Sequence, residues 1–123
     1  MDKIEQIRLL LGNLGLPPKQ QADICVLTIL GMANIKKTSK WKNATNEWVR
    51  IHDIIQFANK NYDVSYAENS RETFRKQAIH HFRTAAIVEA PPIIVAAPQP
   101  IRTKINVPIN SQIYFFINPP YNL

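Results

Sequence analysis

The chain has 123 residues, of which 46 % are hydrophobic and 20 % charged, with a formal net charge of +6 and a pI of about 9.7. This composition suits a single domain with a modest core and excludes an intrinsically disordered chain. The absence of any run near the ~20 apolar residues of a membrane span argues against membrane insertion, and the basic excess favours a polyanionic partner such as nucleic acid.

One cysteine and an acidic N-terminus indicate the compartment. Cys25 lies in the apolar run Ile24-Cys25-Val26-Leu27, and no intrachain disulfide can form from a single cysteine. We expect Cys25 to be a small buried hydrophobe rather than a nucleophile. The segment Met1–Glu5 carries acids and is not a signal peptide. The sequence therefore predicts a protein of the reducing cytoplasm.

Two helices are predicted in the first 34 residues. Ile4, Ile7, Leu10, Leu11 and Leu14 form one stripe at helical spacing, which predicts a helix over 2–14 that Gly15 ends. The break Leu16-Pro17-Pro18 follows. Residues 19–34 are then apolar on almost every side, which is typical of a helix at the centre of a core.

A lysine-rich segment, residues 36–45, separates these helices from the third. Its cations are Lys36, Lys37, Lys40 and Lys42, and two tryptophans, Trp41 and Trp48, are expected to hold it against the body. We expect the four lysines to contact phosphate without sequence preference, on a face shared with the fourth helix. Ile51, Ile54, Ile55 and Ala58 then predict a third helix over about 50–61.

The fourth helix, predicted over about 70–86, carries the strongest functional signal. On a helical wheel, Phe74, Ala78, Phe82, Ala85 and Ala86 form an apolar arc. Asn69 is expected to cap the helix, with Glu72 closing a capping box. The opposite side is polar, and Arg71 and Arg75 could reach phosphate or bond Glu68 and Glu72. The candidate DNA-binding residues on this helix are Arg71, Thr73, Arg75, Lys76, Gln77, His80 and Arg83.

Beyond residue 86 the pattern changes from helical to extended. Residues 87–89, 93–95 and 113–117 are β-branched or aromatic runs separated by prolines, and they predict a two- or three-stranded ribbon. Helices followed by a small ribbon are the layout of a winged-helix domain. We predict a mainly α fold with a small β-ribbon: one winged-helix-like domain of about four helices over 1–123, with a helical body at 2–86 and a wing and tail at 87–123.

Metal-dependent catalysis has no visible basis in this sequence. His80 and His81 point about 100° apart on a helix, and the nine acids are scattered rather than clustered. No glycine-rich phosphate loop is present. We therefore assign no catalytic residue and no metal ligand.

Three segments resemble a known family. They are Gly15-Leu16-Pro17-Pro18-Lys19-Gln20-Gln21, residues 26–35 and residues 66–82. In the third segment, a tyrosine and an alanine are followed in order by Asn-Ser-Arg-Glu-Thr, by Arg-Lys-Gln and by a histidine before phenylalanine. Together they resemble the N-terminal domain of the BsuBI/PstI family of Type II restriction endonucleases, over about 14–88. Val107-Pro108-Ile109-Asn110-Ser111 is similar to a later stretch of that family.

The resemblance implies that this chain corresponds to one part of a nuclease. Members are magnesium-dependent enzymes that read a palindromic hexamer, with a winged-helix-like N-terminal domain and a separate catalytic domain. The catalytic domain is missing from this sequence, so the resemblance implies DNA contact without cleavage, and any magnesium would belong to that other domain. Residues 89–106 depart from the family in being more apolar. An excised domain, a split subunit and a truncated gene product all stay open.

The sequence thus predicts a DNA-binding module of a restriction-modification system in the cytoplasm of a bacterial or archaeal host. We expect double-stranded DNA as the partner, no cofactor for this chain and no membrane. A catalytic domain or chain and a homodimer are further candidate partners. The alternative is a protein-interaction or dimerisation domain without direct DNA contact.

Overall fold

The computed structural model of the protein describes residues 2–45, 47–89 and 102–105. Helix α1 spans Lys3–Asn13 and begins at Asp2, whose carboxylate accepts a 2.8 Å bond from the Glu5 N–H. Gly15, at a φ of 87°, turns the chain after the helix, because glycine adopts that conformation without strain. The predicted first helix is confirmed to within a residue at either end.

The predicted second helix is divided in two. A 3₁₀ turn covers Pro18–Gln21, Ala22 is extended, and helix α2 runs over Asp23–Ala33. The expectation of one helix from residue 19 is therefore wrong. The break is held by contacts with α1, since Arg8 Nε donates 3.0 Å to the Gln21 carbonyl and its guanidinium also bonds Asp23.

Helix α2 is the centre of the core. Every residue from Ile24 to Ala33 is buried, including Cys25 at 0 % exposure, which confirms the apolar-all-round prediction. Gly31 lets α3 approach closely, because a Cβ built at that position would lie 3.2 Å from Ile54 Cγ2. Asn34, in the left-handed conformation, ends the helix.

The lysine-rich segment is pinned to the body by one tryptophan. Trp41, in a 3₁₀ turn over Trp41–Asn43, is 6 % exposed and its indole N–H donates 3.0 Å to Gln6 Oε1. Lys3 Nζ lies 5.0 Å from the Trp41 ring centroid. Trp48 is instead 37 % exposed. Trp41 therefore supplies the buried anchor that we expected of both.

Helices α3 and α4 form the helical pair that precedes the ribbon. Helix α3 spans Ile51–Asn61, as predicted, and a 3₁₀ turn at Glu68–Ser70 leads into α4. Helix α4 consists of α-helical turns at Arg71–Phe74 and His80–Thr84 on either side of a π-helical segment, Arg75–Ile79. The π-helical segment was not predicted from the sequence.

Two details of the predicted fourth helix are wrong. No side chain caps α4: a 3₁₀ turn occupies the place of the Asn69 cap, and Glu72 bonds Arg75 instead of closing a box. Ala85 and Ala86 are exposed, not part of the core face. The helix ends at Thr84 and Ala86 has a φ of 60°, so the chain turns away before a further helical turn can pack.

Three short strands, counted among the described residues, pack beside the helices. Strand β1 is Val49–Arg50, β2 is Val88–Glu89 and β3 is Arg102–Ile105, in the antiparallel order β1-β3-β2. The Cα registers pair Val49 with Thr103 and Val88 with Ile105. The described residues thus form a mainly α fold with a small β-ribbon, in a winged-helix arrangement.

The ribbon uses partly different residues from those predicted. The run 87–89 does contribute a strand, but its described partner is β3, which the sequence analysis had not identified. The predicted strands at 93–95 and 113–117 lie outside the described residues.

Candidate nucleic-acid interface

Helix α4 has a buried face and a polar exposed face. Phe74, Ala78 and Phe82 are 0 % exposed and Ile79 is 2 % exposed, and they pack on the core. The Phe74 ring meets Tyr66 edge-on, with centroids 5.1 Å apart. All seven candidate residues of α4 are exposed: Arg71, Thr73, Arg75, Lys76, Gln77, His80 and Arg83.

Glutamates engage the two arginines in the first turns of α4. Glu72 bonds Arg75 twice, with Nε–Oε1 at 3.0 Å and Nη2–Oε2 at 2.6 Å. Arg71 Nε lies 3.5 Å from Glu68 Oε2. The hydrogen bond from Arg75 is the main reason that the pKa of Glu72 falls below its ordinary value. Of the two options that the sequence left open, the structure shows the bonds to glutamate.

The rest of the exposed face offers donors that are not committed elsewhere. The side chains of Lys76, Gln77 and Arg83 make no hydrogen bond or ion pair among the described residues, although Lys76 acts electrostatically on Glu72. The His80 and His81 rings meet edge-on at 5.4 Å between centroids. This face can therefore donate to phosphate or to base edges without breaking a bond within the described fold.

A further link joins the start of α4 to α3. His52 Nδ1 of α3 lies 2.9 Å from Glu68 Oε1, so Glu68 contacts both His52 and Arg71. The hydrogen bond with His52 is the main cause of the lowered pKa of Glu68. The contact connects the 3₁₀ turn before α4 to helix α3.

The π-helical segment packs against the buried Cys25. The Cys25 thiol donates to the Gln77 carbonyl at an S···O distance of 3.2 Å. Burial raises the pKa of Cys25 to about 11, so the sulfur keeps its proton and can act as the donor. The Gln77 backbone is thereby held against α2 while its side chain stays exposed.

The lysine-rich segment lies at the other end of α2. The Thr45 N–H donates 2.9 Å to the carbonyl of Ala33, the last residue of α2, and Lys37 bonds Asp63 after α3. Lys36, Lys37, Lys40 and Lys42 are all exposed. Cys25 and Ala33 are about 12 Å apart along the helix axis, at 1.5 Å per residue. The segment is therefore attached at the opposite end of α2 from the contact between Cys25 and the middle of α4.

One basic residue near α4 was missed from the sequence. Lys19 is exposed on the 3₁₀ turn that packs against the π-helical segment, and its carbonyl lies 3.8 Å from Cys25 Sγ. The sequence offered no local signal for this proximity, because it arises from the packing of the 3₁₀ turn on the π-helical segment. Lys19 joins the cations that are close to the exposed face of α4.

The described part of the chain offers no metal site and no membrane helix. Across residues 2–45, 47–89 and 102–105, no three His, Cys, Asp or Glu side chains are grouped to hold an ion. No helix in those ranges is long and apolar enough to cross a bilayer.

Known proteins with similar sequences and folds are restriction enzymes. Over 78 residues the chain is 38 % identical to the Type II restriction enzyme BsuBI of Bacillus subtilis, covering 63 % of this chain and 25 % of that enzyme. The fold matches the structure of SdaI restriction endonuclease with a TM-score of 0.83 at 21 % identity, covering 91 % of this chain and 36 % of that one. The chain thus spans a quarter of BsuBI and about a third of SdaI.

The family profile extends over most of the chain. It is described as the BsuBI/PstI restriction endonuclease HTH domain and matches residues 1–100. The matched region contains α1 to α4 and β2, and therefore the whole exposed face described above. On the strength of this match, the chain belongs to the BsuBI/PstI restriction endonuclease HTH domain family.

Proposed function

We propose that this chain is the duplex-DNA-binding module of a Type II restriction endonuclease and that it contacts DNA through the exposed face of α4. The observation that carries the proposal is the set of exposed, uncommitted donors on one helix of a winged-helix fold: Lys76, Gln77, His80 and Arg83. In helix-turn-helix proteins the second helix enters the major groove. Helix α4 occupies that position after α3.

Charge supports a polyanionic ligand for this face. Lys76 and Arg83 can each neutralise a phosphate, and the exposed Lys19 lies on the 3₁₀ turn that packs against the π-helical segment of α4. Cations of this kind release counterions from DNA and make affinity fall with salt, with a slope near −0.9 per phosphate contacted. An apolar protein interface would show little salt dependence.

The lysine-rich segment is proposed as a second, sequence-independent contact. Lys40 and Lys42 are exposed, and neither bonds an acid among the described residues. The segment that carries them is attached at the end of α2 opposite to the Cys25–Gln77 contact. We propose that they add phosphate contacts there and do not read bases.

Cleavage is assigned to another part of the system. Because the chain spans only 25 % of BsuBI, we propose that a separate catalytic domain or chain supplies cleavage and holds the magnesium. A palindromic site would suit a homodimer of the whole enzyme. We propose the cytoplasm of a bacterial or archaeal host as its location, because a restriction-modification system would act there.

The test is a fluorescence anisotropy titration on a labelled duplex at 50 and 200 mM salt. The wild type should bind, and its log affinity should fall linearly with log salt. Lys76→Ala and Arg83→Ala should each weaken binding and reduce the slope by about 0.9. Lys60→Ala, an exposed change on α3, is the matched control and should leave both unchanged.

Two results would contradict the proposal. The first is a folded wild-type chain that binds no duplex at 50 mM salt. The second is binding that Lys76→Ala and Arg83→Ala leave as in the wild type, with an unchanged slope. Either result would favour the alternative in which α4 packs on a protein partner.

A further inference from the structure

The Glu72–Arg75 pair differs in geometry from the other ion pair of α4. Two parallel bonds, Nε–Oε1 at 3.0 Å and Nη2–Oε2 at 2.6 Å, hold the Arg75 guanidinium against the carboxylate. Both side chains are exposed, at 44 % for Arg75 and 64 % for Glu72. Arg71 has only a 3.5 Å contact with Glu68, which it shares with His52. Arg75 is thus the arginine whose plane is fixed.

The bonds to Glu72 leave one edge of the guanidinium available. A guanidinium carries five N–H donors in a rigid planar fork. Glu72 uses the Nε donor and one Nη2 donor, so the outer edge keeps the Nη1 donors and the second Nη2 donor. Two of these are parallel and point the same way. Arg75 therefore presents a bidentate donor edge whose orientation is set by a residue one turn away on the same helix.

The net charge of the Glu72–Arg75 pair determines which kind of ligand suits the outer edge of the Arg75 guanidinium. The pair carries +1 and −1, so its attraction for a phosphate is largely cancelled, whereas the hydrogen-bonding capacity of the outer edge is intact. A neutral ligand with two adjacent acceptors loses nothing from the cancelled charge. In the major groove only guanine presents two adjacent acceptors, N7 and O6.

We propose that Arg75 reads a guanine through N7 and O6 and that Glu72 is the positioning residue that sets the plane of its guanidinium. The inference rests on the proposed function, since it requires α4 in the major groove. It assigns base readout to a pair without net charge, and it leaves phosphate contact to Lys76 and Arg83.

The experiment begins with selection of preferred duplexes from a random library by the wild-type chain. The preferred sequence should contain a guanine at which 7-deazaguanine, which lacks the N7 acceptor, weakens wild-type binding by about 5- to 150-fold. Arg75→Lys keeps the charge and loses the fork. It should bind random DNA within about twofold of the wild type and show no loss on 7-deazaguanine substitution.

Glu72→Gln tests the positioning role. It should reduce the preference for guanine at that position by at least about fivefold while binding random DNA as well as, or better than, the wild type. Glu68→Gln is the matched control, because it removes the same charge one turn earlier without a bidentate partner. It should change affinity for every duplex alike and keep the guanine preference.

The possible results of these experiments test this inference separately from the proposed function on which it rests. Salt-dependent binding without any base preference, or a guanine preference that survives Arg75→Lys, overturns the inference and leaves the DNA-binding module intact. A Glu72→Gln variant that behaves like Glu68→Gln removes the positioning role. No duplex binding by the folded wild type overturns both.

Discussion

On α4, the helical wheel predicted the buried phenylalanines correctly, but it did not predict which groups the surface arginines contact. Phe74 and Phe82 are buried as the apolar spacing predicted. The partners of Arg71 and Arg75 could not be chosen from the sequence. A surface ion pair is worth about 0–1 kcal/mol, which is too little to favour glutamate over phosphate before the structure is known.

The two aromatic residues under α4 should matter for stability. Phe74→Ala or Phe82→Ala removes a fully buried ring and should lower the free energy of unfolding by about 3–5 kcal/mol. Lys76→Ala, on the exposed face of the same helix, should change it by no more than about 0.5 kcal/mol. Urea denaturation of the three variants measures both. A small loss at both phenylalanines would mean that α4 does not pack on α2 as described.

Asp53 at the start of α3 gives a pH-dependent contribution to stability. Its carboxylate accepts from the Arg50 guanidinium at 3.2 Å and from the Arg50 N–H at 3.1 Å, and the side-chain bond is the main cause of its lowered pKa. A lowered folded pKa stabilises the fold above the ordinary value of 3.8 and loses that effect as pH falls through the folded value.

Asp53→Asn should therefore cost about 0.5–1 kcal/mol at pH 7 and progressively less as pH falls below 4. Thermal melts at pH 7 and pH 3 measure the difference from the wild type. Glu47→Gln, which removes an exposed carboxylate outside the helices, is the control and should show no such convergence. An equal deficit at both pH values would exclude the carboxylate as its cause.

Among the secondary-structure elements, apolar periodicity predicted where the helices lie better than it predicted where they begin and end. Helix α3 agrees with its prediction to within a residue, because its four isoleucine and alanine anchors keep one stripe. The break at Ala22 was missed since Arg8, fourteen residues earlier, supplies the contacts that hold it. The π-helical segment was also missed, and its Gln77 carbonyl accepts a bond from Cys25 on another helix. Such contacts depend on tertiary packing, which no local window contains.

The lysine-rich segment allows a test at this scale. Lys40→Ala combined with Lys42→Ala should weaken binding to all duplexes alike and reduce the salt slope by up to about two, because neither lysine is expected to touch a base. Lys37→Ala should have a smaller effect, since Lys37 already bonds Asp63. Anisotropy on preferred and random duplexes measures both.

A double variant that binds like the wild type, with the same slope, would show that the segment faces solvent in the complex. Because α2 separates it from the middle of α4, its contribution should also disappear on duplexes too short to reach it. A short and a long duplex with the same centre make that comparison.

For the whole molecule, the sequence predicted the fold class but did not predict how the strands of the sheet pair. Helices followed by extended runs indicated the winged-helix layout. The pairing of β1 with β3 joins residues about fifty positions apart, and strand β1 has only two residues, which is too short for a period-two pattern. For the candidate site, the exposed residues of α4 were predicted, whereas Lys19 was missed because its proximity arises from the packing of the 3₁₀ turn.

The reactivity of the Cys25 thiol, which is buried beneath α4, can report local opening of the fold. Cys25 is the only cysteine in the chain, it is fully buried, and its sulfur bonds the backbone of α4 at Gln77. A thiol-specific reagent can reach it only when the elements packed around it open, and these include α4 and the 3₁₀ turn that carries Lys19. The raised pKa of Cys25 slows the reaction further. The labelling rate therefore measures how often the fold opens around the site at which the proposed DNA-reading helix packs, without any label added to its surface. Duplex DNA that binds only the docked helix should slow that labelling, while DNA held by the lysine-rich segment alone should leave it unchanged.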